Sequence, residues 1–420
     1  MRFASPLVAG CPPRHATTGG DRALIHPDER NETFVAKFLL HNSRNSGRMR
    51  AMKPVNPFLI RGYAGPEWFC DRVAETDALV SALGNGRDVT LVAPRRYGKT
   101  GLIRNAFRRL EKTHATVYLD IFAVPDLASF VRAFSSAVLG RLDSRAQGVG
   151  RKILSFFKSC RPTMTPQEDG SFSFSFDLAP SRAEATLKET FDYLASRNRR
   201  TAIAIDEFQQ VRNFPEKGVE GLLRSYVQFV PNAHFVFAGS KKHMMDEMFV
   251  SPKGPFYQST QLMALGPIDR GKYADFAARF FRKDRRAFEN AAFEHLYDRF
   301  DGVTWYVQAV LNRTWAAGGG LVSAGQVDET VDALVEESSL FFHDLLGSQT
   351  PAERAVLKAI GRDGAVPAVS AAEFLRRHGL PAASTVRSAA ANLEKRDLLY
   401  RTDGGFIVYD RLFGVYLSRL

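Results

Sequence analysis

The sequence predicts an α/β protein with a parallel-sheet core, a helical lid and a C-terminal winged-helix domain. Three observations point there. The short apolar strand "DVTLV" runs into the turn "APRRYGKTG" and then into an amphipathic helix. A second apolar run, Ala202 to Ile205, ends in Asp206 and Glu207. From about residue 268 the pattern turns helical, and the chain closes with three helical stretches and two short strands around "DGG".

A chain of 420 residues, 45% hydrophobic and 24% charged, has ordinary globular composition and room for two to three domains. The three cysteines, Cys11, Cys70 and Cys160, are widely spaced with no Cys-x-x-Cys pair, which suggests neither a zinc site nor a disulfide framework and makes a reducing, cytoplasmic setting the default. "VAGC" near the start has the outline of a lipoprotein cleavage site but lacks the apolar stretch that should precede it. No run approaches the roughly 18–20 apolar residues of a membrane span, so no membrane partner is expected. The net charge of +12 raises double-stranded DNA as a partner, because Lys and Arg that neutralise phosphates supply most non-specific affinity.

Taken in order, residues 1–52 lack sustained periodicity and read as an arm, with Met49 or Met52 as alternative starts. In "PEWFCDRVAETDALVSAL", Phe69, Val73, Val80 and Leu83 are spaced as one helix face. Next comes the turn. A phosphate-binding loop runs Gly, four residues, Gly-Lys-Ser/Thr, so that backbone N–H groups wrap phosphate, the lysine reaches its oxygens and the hydroxyl holds Mg²⁺. Gly98, Lys99 and Thr100 fit, while Ala93 stands where the first glycine belongs. That residue ends the strand, so its N–H need not be among those that cradle phosphate. Ala93, Pro94, Arg95, Arg96, Tyr97, Gly98, Lys99, Thr100 and Gly101 are therefore the expected nucleotide contacts. Arg95 and Arg96 either add charge near the γ-phosphate or belong to a solvated loop. The following helix should turn Leu102, Ile103, Ala106, Phe107 and Leu110 inward and Arg104, Arg108 and Arg109 outward.

"ATVYLDIF" gives a second strand ending near Asp120, and "TAIAID" a third. A buried parallel strand closed by two carboxylates brings them to the phosphate crevice. There Asp206 would share Mg²⁺ with Thr100, and Glu207 would polarise the attacking water. "AHFVFAGS" is a fourth strand ending at Ser240, whose hydroxyl can contact the γ-phosphate or the lytic water, cap the next helix, or do both. Between the first helix and the acidic strand, Ser and Phe alternate from Ser171 to Phe176, placing Phe172, Phe174 and Phe176 on the core side of a half-buried strand. "YADFAARFFRKD", "AAFEHLYDRF" and "WYVQAVLNRTW" form the helical lid. The last segment has the helix, helix, helix, hairpin order of a winged helix, with Ser384–Lys395 as recognition helix. Residues 351–420 carry eleven Lys/Arg against seven Asp/Glu, a slight excess that leaves DNA contact, protein contact and a rigid-spacer role all open.

These pieces resemble the archaeal-type ATPases, a prokaryotic branch of the signal-transduction (STAND) P-loop NTPases related to AAA+ proteins. The resemblance rests on "NPF…FCDRVAETDAL" with Arg72 and Glu75, "PRRYGKT", "IAIDEFQQV", "LLRSYVQFVPNAHFVFAGSKKHMMDEMF", "PFYQSTQLMALGPI" and the terminal "YDRLFGVYL". Alanine at position 93 is ordinary in such relatives. One departure is "GVTWYV", where a Gly-x-Pro element would precede the aromatic lid helix. The resemblance implies an ATP- and Mg²⁺-dependent switch in which nucleotide state, ATP or ADP, is coupled to the lid and winged helix. It makes Arg72 a nucleotide contact and Arg72, Arg224 and Lys241 candidates at the γ-phosphate. The expected division is 53–267 for the ATPase core, 268–346 for the lid and 347–420 for the winged helix. Catalytic roles fall to Lys99, Glu207 and Ser240. The alternatives are a nucleotide-regulated DNA-binding or protein-interaction module with little turnover, self-association included, or a degenerate core kept as a scaffold; intact Lys99, Thr100, Asp206 and Glu207 speak against the last.

Overall fold

The computed structural model describes residues 54–143 and 149–420; the arm, Cys11 and the alternative starts lie outside the described residues. The first helix is α1 (Val73–Gly84), and the first strand is β1 (Val89–Val92). Then follow α2 (Lys99–Leu110), β2 (Ala115–Asp120), α3 (Leu127–Asp143), α4 (Val149–Phe156), the hairpin β3 (Thr163–Pro166) and β4 (Phe172–Ser175), and α5 (Ala183–Ser196). Strand β5 (Thr201–Asp206), α6 (Val219–Val227), β6 (Ala233–Gly239), α7 (Lys242–Phe249) and β7 (Gln261–Ala264) complete the core.

The five-stranded sheet has the order β2-β5-β6-β1-β7 and is parallel throughout. Both faces are covered, and the side-chain alternation assigns them. Ala202, Ala204, Val236 and Ala238 pack towards α1 and α2, whereas Ile203, Ile205, Phe235 and Phe237 pack into an aromatic-rich layer with α3 and α5. Small side chains on the first face let α2 lie close to the sheet. The inward set Leu102, Ile103, Ala106, Phe107 and Leu110 of α2 is buried as its period predicts. On β4, Phe174 is buried and Phe172 packs at the edge of the same layer, and Phe176 just beyond is buried too.

Two local expectations are corrected. Helix α1 begins only at Val73, because Asp71 and Arg72 take left-handed φ values of 50° and 57°. Its buried face is therefore Thr76, Leu79, Ala82 and Leu83, while Val73 is exposed and Phe69 lies ahead of the helix against Gly101. Arg104 does not point simply outward: its guanidinium lies 3.9 Å from the centre of the Tyr118 ring, and burial lowers its pKa.

The lid contains α8 (Arg270–Lys283), β8 (Ala287–Phe288), α9 (Asn290–Arg299), α10 (Thr304–Ala317), β9 (Leu321–Val322) and α11 (Ala324–Glu337). Helix α12 (Ser339–Gly347) leads into α13 (Pro351–Asp363), α14 (Ala372–Arg377), α15 (Ala383–Lys395), β10 (Leu399–Thr402), β11 (Gly405–Val408) and α16 (Arg411–Ser418). Helix α13 starts sharply because Thr350 and Glu353 form a capping box with Pro351 at the first helical position. Strands β10 and β11 form the antiparallel wing around Asp403 and Gly404. Lid and winged helix share one apolar core, continuous from Ile268 to Leu417, in which the Phe342 ring lies 5.2 Å from that of Phe413. Among the described residues, no helix is long and apolar enough to cross a membrane.

Candidate functional site

The crevice opens at the carboxyl ends of β1, β5 and β6, where a doubly wound sheet presents loops on both sides of a change in strand order. Between β1 and α2 the chain passes through Arg96 with φ 73° and Gly98 with φ 89°. Gly98 serves as the α2 N-cap without a side-chain acceptor, so the first N–H groups of α2 face the crevice, a favourable place for an anion.

The Ala93 N–H donates to the Gly239 carbonyl at 3.2 Å, which ends the strand ladder and explains why no glycine is needed there. Its carbonyl accepts from Lys99 Nζ at 3.2 Å, and Lys99 Nζ also stands 3.7 Å from Glu207 Oε1. Lys99 is buried, so its ammonium is aimed into the crevice rather than at solvent. Thr100 Oγ1 donates to Asp206 Oδ2 at 2.8 Å. Glu207 follows with a left-handed φ of 56°, a conformation that costs a non-glycine residue energy and clusters at functional sites. Ser240 does not cap α7: its Oγ donates to Glu207 Oε2 at 2.6 Å, and Lys241 takes the cap position. Gly101 lies under the Phe69 ring, where an added Cβ would come within 3.1 Å.

Arg72 goes elsewhere than to the crevice mouth. It is buried, paired to Glu75 at 2.8 Å, with Nη2 2.5 Å from the Gly266 carbonyl and 3.5 Å from that of Tyr97, and Nη1 3.5 Å from that of Pro267. It thus ties the loop to the segment leading into the lid. Arg224 is half-buried on α6, one helical turn before Val227, which lines a cleft beside Gly86, Asp88 and His234. The departure at Val303 and Thr304 does not part lid from loop. The Trp305 N–H donates to the Arg96 carbonyl at 3.0 Å, and Thr304 Oγ1 lies 3.4 Å from the Tyr97 carbonyl.

Several residues at the site were not singled out from sequence. The Tyr118 hydroxyl donates to Asp206 Oδ2 at 2.7 Å, and burial, then Asp206 and Asp120, hold its pKa well above the usual value. Asp120 is the register partner of Asp206, and burial, offset in part by the Phe122 N–H and reinforced by Asp206 and Glu207, pushes it up to about 6. The alternation in "ATVYLDIF" was the available signal, since it puts Tyr118 and Asp120 on one face of the strand. The winged helix also reaches in. The Arg95 N–H donates to Tyr409 Oη at 3.0 Å, and Arg96 Nη1 meets Asp410 Oδ2 at 2.8 Å and the Tyr306 hydroxyl. Asp397 Oδ2 lies 3.3 Å from Lys241 Nζ and 3.8 Å from Arg95 Nη1. Arg96 stacks over Trp305 and Tyr306 at 4.5 and 4.8 Å, so the guanidinium bridges lid, loop and winged helix.

Chemically, the crevice joins a buried ammonium, a helix N-terminus, a hydroxyl touching one carboxylate, and a second carboxylate beside them. Among the described residues no group of three or more His, Cys, Asp and Glu could hold a metal ion by itself. A hard divalent cation at Thr100 and Asp206 would therefore complete its shell with phosphate oxygens and water, the mode Mg²⁺ prefers, and the oxygen donors present fit it.

Residues 69–310 match the family described as an ATPase domain predominantly from Archaea, and residues 340–419 match a probable winged helix domain. No curated protein matches the sequence significantly. Similar solved structures include a Walker-type ATPase of Pyrococcus abyssi, at 17% identity and TM-score 0.58 over 87% of this chain and 100% of that one. The ORC2 protein of Aeropyrum pernix, in ADPNP and ADP complexes, aligns at 16% identity and TM-score 0.56 over 87% and 98%. The ORC1 protein of the same organism, in complex with DNA, aligns at 14% identity and TM-score 0.50 over 87% and 96%. At these identities the likeness is one of fold.

Proposed function

The chain belongs to the family of ATPase domains predominantly from Archaea and is an ATP-hydrolysing P-loop NTPase with a winged-helix domain; from that premise we propose that it works as a STAND-type switch whose nucleotide state sets the position of its lid and winged helix. In this reading Lys99 and the α2 N-terminus hold the phosphates, Thr100 and Asp206 hold Mg²⁺, Glu207 takes the proton of the attacking water, and Ser240 orients Glu207. When bound, Mg²⁺ supplies charge neutralisation at the transferring phosphoryl group.

One observation carries the switch. The same loop that would cradle phosphate gives its Arg95 N–H to Tyr409 and its Arg96 guanidinium to Asp410. A triphosphate entering the loop competes for those groups, so binding and winged-helix docking are energetically linked, and the linkage is reciprocal. Cys70 and Cys160, both free and buried, suit the cytoplasm, where we place the protein. The test pairs hydrolysis with protection. Lys99→Ala and Glu207→Gln should both abolish ATPase activity, with nucleotide binding kept in Glu207→Gln. Amide exchange in β10, β11 and α16 should differ between the states bound to an ATP analogue and to ADP. Equal exchange in both states would defeat the switch and leave a simple hydrolase.

A second reading has its own observation. The solvent face of α15 displays Ser384, Thr385, Arg387, Ser388, Asn392 and Lys395, whereas Ala389 and Ala390 turn into the core. Hydroxyls, an amide and two cations on an open helix face suit duplex DNA. Arg387→Ala with Lys395→Ala should weaken duplex binding and flatten its salt dependence; unchanged retention would leave α15 as a protein-contact surface.

A further inference from the structure

Glu207 is held by more than Ser240. Gln209 is the second residue of the short 3-10 turn Phe208–Asn213 that follows Glu207, and it is 4% exposed. Its Nε2 donates to Glu207 Oε2 and lies 3.3 Å from Ser240 Oγ. The identity of that amide atom is dictated by chemistry: a carboxylate only accepts, and Ser240 spends its proton on Glu207, so the group facing both must be the NH₂. The other end of the amide is bare. Gln209 Oε1 is buried with no hydrogen-bond partner and lies against the Cα of Gly239, where a Cβ would come within 2.6 Å of it.

A buried carbonyl without a partner costs stability, and the neighbourhood offers a better alternative. The Met245 side chain stands beside the same point, and the preceding residue, Phe208, packs among Phe237, Phe249 and Phe256, so an apolar side chain at 209 would avoid that penalty. The amide carries that cost, and what it touches is Glu207.

We propose that Gln209 is a positioning residue for hydrolysis, which together with Ser240 saturates Glu207 Oε2 and leaves Oε1, the oxygen facing Lys99, as the proton acceptor for the attacking water. The inference rests on the assignment of Glu207 as the base. Two donors on Oε2 fix the carboxylate rotamer that the left-handed backbone of Glu207 begins to define. Gly239 has no side chain, which is what lets Gln209 pass between β6 and the acidic turn.

The split between kcat and KM for ATP, at saturating Mg²⁺, separates this role from a structural one. Gln209→Met removes the donor at similar volume and should lower kcat at least tenfold while leaving KM for ATP within about twofold and the denaturant midpoint no lower than wild type. Gln209→Glu sets a second carboxylate against Glu207 and should lower kcat further with KM again kept. Gln209→Glu is isosteric and carries the test if Gln209→Met does not fold. A kcat within twofold of wild type in folded variants overturns the proposal, as does a loss that falls on KM instead of kcat or failure of both variants to fold. Glu207→Gln is the control: if it turns over like wild type, the base assignment fails and this inference with it, whereas an inactive Glu207→Gln beside an unchanged kcat in the Gln209 variants refutes Gln209 alone.

Discussion

Removing the two winged-helix carboxylates should tighten ATP. Asp410 pairs with Arg96 at 2.8 Å with the two side chains 30% and 34% exposed, and Asp397 lies 3.3 Å from Lys241 with exposures of 30% and 28%. Such half-exposed pairs are screened, so each contributes about 1 kcal/mol rather than the value of a dry pair. If nucleotide and winged helix compete for Arg95, Arg96 and Lys241, abolishing both pairs removes about 2 kcal/mol of competition, roughly a 30-fold lower Kd for ATP. Asp397→Asn with Asp410→Asn is the right perturbation. Asn still accepts from the Leu412 and Phe413 N–H groups as an N-cap, and it tolerates the left-handed φ of 57° at position 397, so only charge is lost. ATP and ADP affinities would be measured by calorimetry at two salt concentrations. The gain should be larger for ATP than for ADP, whose missing γ-phosphate makes the smaller demand on these cations, and it should shrink as salt rises. An ATP affinity within twofold of wild type at low salt would refute the competition and, with it, the reason for linking loop to winged helix.

Three further outcomes are expected. Asp120→Asn should be more stable than wild type at pH 8, because a carboxyl raised from 3.8 to about 6 is disfavoured when ionised. The wild-type contribution is present below the ordinary value and lost as pH rises through about 6, so the advantage of Asn is up to about 3 kcal/mol at pH 8 and about half that at pH 5; denaturant midpoints at the two pH values, without nucleotide, check it, and equal gaps would count against the shift. Tyr118→Phe deletes the hydrogen bond to Asp206, so the Mg²⁺ concentration for half-maximal ATPase activity should rise about fivefold, for a net bond of about 1 kcal/mol, with kcat kept at saturating Mg²⁺. Arg72→Met strands Glu75 and the carbonyls of Tyr97, Gly266 and Pro267 and should lower unfolding stability by about 3 kcal/mol; an unchanged denaturant midpoint would mean that Arg72 is no clamp.

What the sequence determined by itself is local. The strand, turn and helix around Lys99 are contiguous, so the 2.0 and 3.6 periods and the glycine at position 98 announce them, and the buried face of α2 followed directly. The parallel strand ending in Asp206 and Glu207 was legible for the same reason, as was the helix-helix-helix-hairpin order at the C-terminus. Where local signals competed, reading failed: left-handed Asp71 and Arg72 delay α1 and rotate its buried face, which no periodicity count reveals. The tertiary structure alone decided which partners the site residues have. Ser240 turns to Glu207 instead of capping α7 because β5 and β6 are neighbours, and Gln209 reaches both because Gly239 leaves space. The Arg95 N–H meets a hydroxyl 314 positions away, and that contact exists because lid and winged helix share an apolar core that carries Tyr409 and Asp410 to the loop. A motif states which chemistry a chain can perform; which groups restrain that chemistry depends on how distant elements pack, and packing is a property of the whole fold.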